Sequence, residues 1–183
     1  MSEQSAPEIM WAGKYITAKR EGRWEYVSPS RGIRAAVVLA IDESVGGPHI
    51  ILVEQYRVPL GRPCLELPAG LVGDDDGSEN EDAALAAIRE LEEETGYRAA
   101  HMHDLGEYFS SPGMVSESFS LFRAEGLERV HDGGGLEGED IIVHRVPLSA
   151  LADYVAACRV EGMAIDVKLL VALGTGMLGA TTA

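Results

Sequence analysis

The chain has 183 residues, 46% hydrophobic and 25% charged, which is the composition of one globular domain and not of a disordered segment. Lys and Arg number 15 against 30 Asp and Glu, a net charge of −15, so the surface repels nucleic-acid phosphates. No apolar run reaches the length of about 18 residues that spans a bilayer, and the acidic start (Glu3, Glu8) lacks a signal-peptide pattern. Two cysteines without CxxC spacing, Cys64 and Cys158, exclude a disulfide scaffold or zinc cluster and suit a reducing cytoplasm.

Residues 1–10 read as polar and frayed. Lys14–Thr17 and Arg23–Val27 read as a β-hairpin, with Lys19-Arg20-Glu21-Gly22 as its turn. Ile33–Ile41 and Ile50–Val53 are continuous apolar runs, the pattern of buried strands, and Asp42–Pro48 turns between them. Gly61–Pro68 reads as a loop passing through a short strand at Leu65–Leu67. A helix is predicted between Glu79 and Thr95, with Ser78 and Glu81 at capping-box spacing and Gly96 as its stop. Strands follow near Leu105–Phe109, Ser118–Ala124 and Ile141–Val146, then helices over Leu148–Cys158 and Ile165–Leu173. Strands with helices on their faces predict an α/β (α+β) sandwich with a mixed sheet.

The predicted helix carries the chemistry. At about 100° per residue, Glu90, Glu93 and Glu94 share one flank beside the apolar face, while Glu92 points away. Three carboxylates on one flank repel unless cations sit among them, and Mg²⁺ takes such oxygen ligands together with substrate phosphates. The bland alternative is a solvated, charge-laced helix face.

Glu81, seven intervening residues, Arg89-Glu90, Leu91, Glu93-Glu94, Gly96 and Tyr97 resemble the Nudix box, G-x5-E-x7-R-E-U-x-E-E-x-G-U. One element departs. Ten residues separate Gly70 from Glu81 where the box has five, which reads as a five-residue loop insertion within Gly73–Ser78. The resemblance implies a Nudix α/β/α sandwich in which Glu90, Glu93 and Glu94 bind Mg²⁺, or Mn²⁺ in its place. It also implies that Arg89 orients a glutamate, the i,i+4 pair with Glu93 being within reach.

Glu54-Gln55-Tyr56-Arg57 and Leu65-Glu66-Leu67-Pro68-Ala69-Gly70 resemble the E-Q-x-R…E-L-P-A-G pattern of the ADP-ribose pyrophosphatase branch. Ser111-Pro112-Gly113 matches that branch's S-P-G segment, and Ser118 departs where members often carry arginine. The resemblance implies the Ala69 carbonyl as a further metal ligand. It implies substrate contacts at Arg57, Glu66, Pro112, Gly113, Met114 and Glu117. The acidic loop Glu137-Gly138-Glu139 implies a general base, Glu137 matching best and Glu139 competing.

The implied reaction is Mg²⁺-dependent hydrolysis of the diphosphate of ADP-ribose to AMP and ribose 5-phosphate. A different nucleotide sugar such as GDP-mannose is the alternative substrate, and a non-catalytic nucleotide sensor is the alternative from another class. The branch further implies a homodimer whose N-terminal segments clamp the adenine, with Trp11 from one subunit and Trp24, beside Glu25, from its partner. The expected organisation is a dimerisation arm at 1–32, the hydrolase domain at 33–178 and a tail at 179–183. Partners are then a nucleotide sugar and a second copy, with no nucleic acid and no membrane.

Overall fold

The computed structural model describes residues 6–30, 34–44, 46–73 and 82–174. The capping pair Ser78 and Glu81, most of the insertion before the helix and the tail at 179–183 lie outside these residues.

At the N-terminus, β1 (Glu8–Ala12), β2 (Ile16–Glu21) and β3 (Trp24–Pro29) form an antiparallel three-stranded sheet. This corrects the frayed start and the simple hairpin. β1 is exposed along its length and so carries no burial pattern to read, yet it pairs Glu8 with Arg20, whose guanidinium donates to the Glu8 carboxylate at 2.6 Å. The turn also moves: Lys19, Arg20 and Glu21 belong to β2, and Gly22 takes the left-handed backbone between Glu21 and Trp24.

The remaining chain gives β4 (Arg34–Asp42), β5 (His49–Arg57), β6 (Arg62–Glu66), β7 (Ala69–Val72), α1 (Ala83–Thr95), β8 (Tyr97–Arg98), β9 (His101–Phe109) and β10 (Ser118–Glu125). It ends with β11 (Glu128–Arg129), β12 (Ile142–Pro147), α2 (Leu151–Val160), β13 (Ala164–Ile165) and the short α3 (Leu169–Leu173). The main sheet has eight strands in the order β13-β6-β5-β4-β10-β9, with β12 added to β5 and β7 to β4. β10 runs parallel to β4 and β13 parallel to β6, and the other pairs are antiparallel. The expected mixed sheet is the one found.

Alternate residues of β4 feed the two faces. Val37 and Leu39 join Leu52, Leu65, Leu121, Val155 and Leu169 in one core, under α2 and α3. Ala36, Val38 and Ala40 join Ala86, Ala87 and Leu91 of α1 in the other. Leu91 is fully buried, and truncating such a side chain to alanine costs about 2–5 kcal/mol.

Two helix boundaries differ from expectation. Asp82 caps α1, its carboxylate accepting from the Ala84 N–H at 2.8 Å, so the helix begins at Ala83. The last predicted helix starts late because the Asp166 N–H donates to the Leu65 carbonyl, which holds Ala164–Ile165 as a strand beside β6. Among the described residues no helix is long and apolar enough to cross a membrane.

The sheet also makes room for a site. β4 and β5 pair only over Ala40–Asp42 and His49–Ile51, then part, β4 continuing with β7 and β5 with β6. Residues of both diverging strands line one cavity.

Candidate active site

A cavity of about 500 Å³ is lined from β4 by Ala35 and Val37, from β5 by Gln55 and Arg57, and from β6 by Glu66. Ala69, Gly70 and Leu71 of β7 and Arg89, Glu90, Glu93 and Glu94 of α1 form the adjoining wall. Ser110, Glu117, Phe119, Leu136, Glu139 and Lys168 complete it.

The helix reaches this wall because Leu91 anchors its apolar face on the sheet, which turns the acidic flank toward β7. Glu94 is buried and accepts from the Ala69 N–H at 3.0 Å. Burial chiefly, then the Glu90 and Glu139 charges, push its carboxyl up to about 8, against the pull of that N–H. Glu90 is also raised, chiefly by burial, while Arg89 opposes the shift. Arg89 reaches Glu93 at 3.4 Å, the i,i+4 pair expected, and also Glu90 at 2.8 Å.

Gly70 fits against Glu90 so closely that a Cβ there would fall within the carboxylate. Only glycine leaves that acid its place. The carboxylates of this flank give an all-oxygen donor set of a kind that suits a hard divalent ion. Among the described residues, however, no three His, Cys, Asp or Glu side chains are already drawn together as a metal cage. Glu90 and Glu93 lean on Arg89, and Glu94 leans on the Ala69 amide.

Opposite the helix, Arg57 meets Glu66 through two bonds, Nε to Oε1 at 2.6 Å and Nη2 to Oε2 at 2.9 Å. Glu66 is 4% exposed, and without this partner its charge would be stranded in the interior. Hydrogen bonding to Glu66 raises the Arg57 pKa, so the guanidinium stays charged.

The acidic loop is set by the end of α1. Helix C-termini leave carbonyls without intrahelical partners, and here the glycine-rich segment supplies the donors. The Gly134 N–H donates to the Glu94 carbonyl at 2.8 Å and the Gly135 N–H to the Glu93 carbonyl at 3.1 Å. A Cβ on Gly133 would collide with Thr95, so the loop can dock this closely only as glycine. Docking brings Glu139 into the cavity wall, where Oε2 accepts from the Leu136 N–H at 2.7 Å. Gln55 Nε2 donates to the Glu139 carbonyl at 3.3 Å. Glu137 is exposed on the same loop and does not line the cavity.

The structure therefore brings Arg57, Glu66, Ala69, Arg89, Glu90, Glu93, Glu94, Glu117 and Glu139 to one cavity. It leaves Trp11, Trp24, Glu25, Pro112, Gly113 and Met114 off the cavity wall of a single chain, all of them exposed. The two segments that carry them are joined, though. The Val27 N–H donates to the Met114 carbonyl and the Ser116 N–H to the Val27 carbonyl, both at 2.9 Å, which ties the N-terminal sheet to the segment bordering the site. Gln55, Phe119 and Lys168 had not been singled out as site residues. Gln55 stood inside a quoted motif, whereas Lys168 had no sequence signal at all.

The NUDIX domain family matches residues 31–157, a stretch that includes β4, β7, the acidic helix and the glycine-rich loop. The chain belongs to the NUDIX domain family. As a Nudix hydrolase it is similar to an ADP-ribose pyrophosphatase of Bacillus subtilis, 34% identical over 108 residues, 59% of this chain and 54% of that protein. It is also similar to a GDP-mannose pyrophosphatase of Cronobacter sakazakii, 34% identical over 151 residues, 78% of this chain and 72% of that one. A crystal structure of an ADP compounds hydrolase shares the Nudix fold, with a TM-score of 0.61 and 23% identity over 85% of this chain and 86% of that chain.

Proposed function

We propose that this Nudix hydrolase cleaves the diphosphate of ADP-ribose to AMP and ribose 5-phosphate with Mg²⁺, Mn²⁺ being able to substitute. The carrying observation is the meeting, in one cavity, of the Glu90, Glu93, Glu94 and Glu139 carboxylates with the Arg57 guanidinium. The pyrophosphatase relative in Bacillus subtilis supports the choice of substrate.

Glu90, Glu93, Glu94 and the Ala69 carbonyl would hold the ion. Bound there, Mg²⁺ neutralises the diphosphate oxygens and stabilises the charge of an in-line displacement. Arg57, kept charged and rigid by Glu66, holds a phosphate through its planar fork. Arg89 fixes the rotamers of Glu90 and Glu93 before the ion arrives. Glu139 takes a proton from the attacking water as its oxygen bonds to phosphorus and the bridging P–O bond breaks. We favour Glu139 over Glu137 because it already lines the cavity. Glu66 and Glu117 contribute polar lining, while Pro112, Gly113 and Met114 approach substrate from the rim.

We also propose residues 1–32 as the arm of a homodimer, in which Trp11 of one subunit and Trp24, beside Glu25, of its partner enclose the adenine. Both rings are more than half exposed here, 57% and 55%, a large apolar area for a lone chain to leave in water.

A second reading is hydrolysis of GDP-mannose, favoured by the relative of that name, which aligns over 78% of this chain. Initial rates on ADP-ribose and GDP-mannose, read by phosphatase-coupled phosphate release, separate the two. A kcat/KM at least tenfold higher for ADP-ribose supports the first reading, and the reverse ratio replaces it with the second.

A further inference from the structure

Lys168 lines the cavity, yet it comes from the turn between β13 and α3, at the opposite edge of the sheet from the β9–β10 segment. One carboxylate sets its geometry twice over. Asp166 Oδ1 accepts from the Lys168 N–H at 2.7 Å, and Asp166 Oδ2 holds the Lys168 ammonium at 2.6 Å. Both side chains are largely buried, 17% and 18% exposed, so this is a preorganised pair and not a loose surface contact. An ammonium has three donors, and Asp166 engages it from the side of its own turn. The nitrogen also lies 5.8 Å from the centre of the Phe119 ring, which forms the apolar floor beside it.

The other two cations of the cavity wall have work elsewhere. Arg57 is joined to Glu66, and Arg89 spans Glu90 and Glu93, so both belong to the diphosphate and ion region. The aromatic sheet is tied to the 111–116 segment, outside the cavity wall. With the base directed there and the diphosphate over Arg57 and α1, the terminal sugar is the part left for Lys168 and Phe119. A donor fixed above an apolar ring suits a terminal sugar, whose hydroxyl oxygens accept hydrogen bonds while its C–H face packs on the ring.

We propose that Lys168 is the residue that binds the terminal sugar of the substrate, and that Asp166 is the positioning residue that aims it. This rests on the nucleotide-sugar reading above. Loss of a contact made equally in ground and transition states raises KM and spares kcat.

The test measures binding of AMP and of ribose 5-phosphate separately, by calorimetry in Mg²⁺, beside nucleotide-sugar kinetics, for wild type, Lys168→Met, Lys168→Arg and Asp166→Asn. Circular dichroism and melting confirm that each variant folds. The expected result is at least tenfold weaker ribose 5-phosphate binding in Lys168→Met, with AMP affinity unchanged and KM raised more than kcat falls. Lys168→Arg recovers part of the affinity, and Asp166→Asn shows a smaller loss of the same kind. Weakened AMP binding with ribose 5-phosphate unaffected, or no change for either, overturns the assignment while leaving the hydrolase reading intact. A wild type that neither binds these products nor cleaves any nucleotide sugar overturns both.

Discussion

Gly70 and Glu90 share one space: the carboxylate of the helix residue occupies the position that a Cβ on the strand residue would need. The glycine that follows Pro68-Ala69 is therefore part of the acid cluster's geometry. Gly70→Ala is expected to displace Glu90 and lower divalent-ion-dependent turnover at least a hundredfold, with the apparent ion affinity weakened. A magnesium titration of the rate checks this. Wild-type affinity in a folded Gly70→Ala protein contradicts it.

The buried Glu94 gives the metal-free protein a defined pH response. Its carboxyl titrates near about 8 in the folded chain, chiefly through burial, against about 4.3 when unfolded. Between those values the folded state holds a proton that the unfolded state has lost, so this group's contribution is complete below about pH 4 and is lost as pH rises through 8. Divalent ions need the deprotonated form, so their stabilising effect grows over the same interval. Melting curves from pH 5 to 9 in chelator are expected to show a fall in Tm that Glu94→Gln reduces and Mg²⁺ offsets. Identical slopes for wild type and Glu94→Gln contradict the assignment.

The glycine-rich loop separates two acids that the sequence alone left in competition. Glu139 stands in the cavity wall, held through Leu136 and Gln55, and Glu137 stands outside it. Glu139→Gln is expected to lower kcat by about 10²–10⁴-fold, the usual contribution of a general base, with little change in KM. Glu137→Gln is expected to change kcat less than fivefold. Steady-state kinetics on both variants decide, and the reverse order returns the base to Glu137.

For the aromatic clamp, Trp24→Ala is expected to raise KM for ADP-ribose at least tenfold, since stacking a base on an aromatic face contributes about 1–3 kcal/mol. Sedimentation of the wild type is expected to give a dimer. A fully active monomer removes the shared site, and a dimer whose Trp24→Ala variant binds normally removes only the clamp.

The acidic helix was legible in the sequence because one periodicity specified its buried face, its carboxylate flank and its glycine stop together. The central strands were legible because β4 and β5 are buried over continuous apolar runs. β1 was not, since an exposed strand held by edge pairing leaves no hydrophobic alternation to detect. Lys168 was not legible either. Its place depends on the Asp166 turn and on β13 joining β6, a tertiary pairing that brings a residue from far along the chain to the cavity. The Arg89–Glu93 pair could be read from i,i+4 spacing, whereas where Glu137 and Glu139 stand relative to the cavity depends on the docking of the loop on α1.

The most direct measurement is product analysis of ADP-ribose incubated with the protein, with and without Mg²⁺, beside Glu94→Gln as control. The account predicts AMP and ribose 5-phosphate in equal amounts, formed only with the divalent ion and reduced by orders of magnitude in the folded variant. Equal turnover by wild type and Glu94→Gln, or no cleavage of any nucleoside diphosphate sugar by the folded wild type in Mg²⁺, contradicts it.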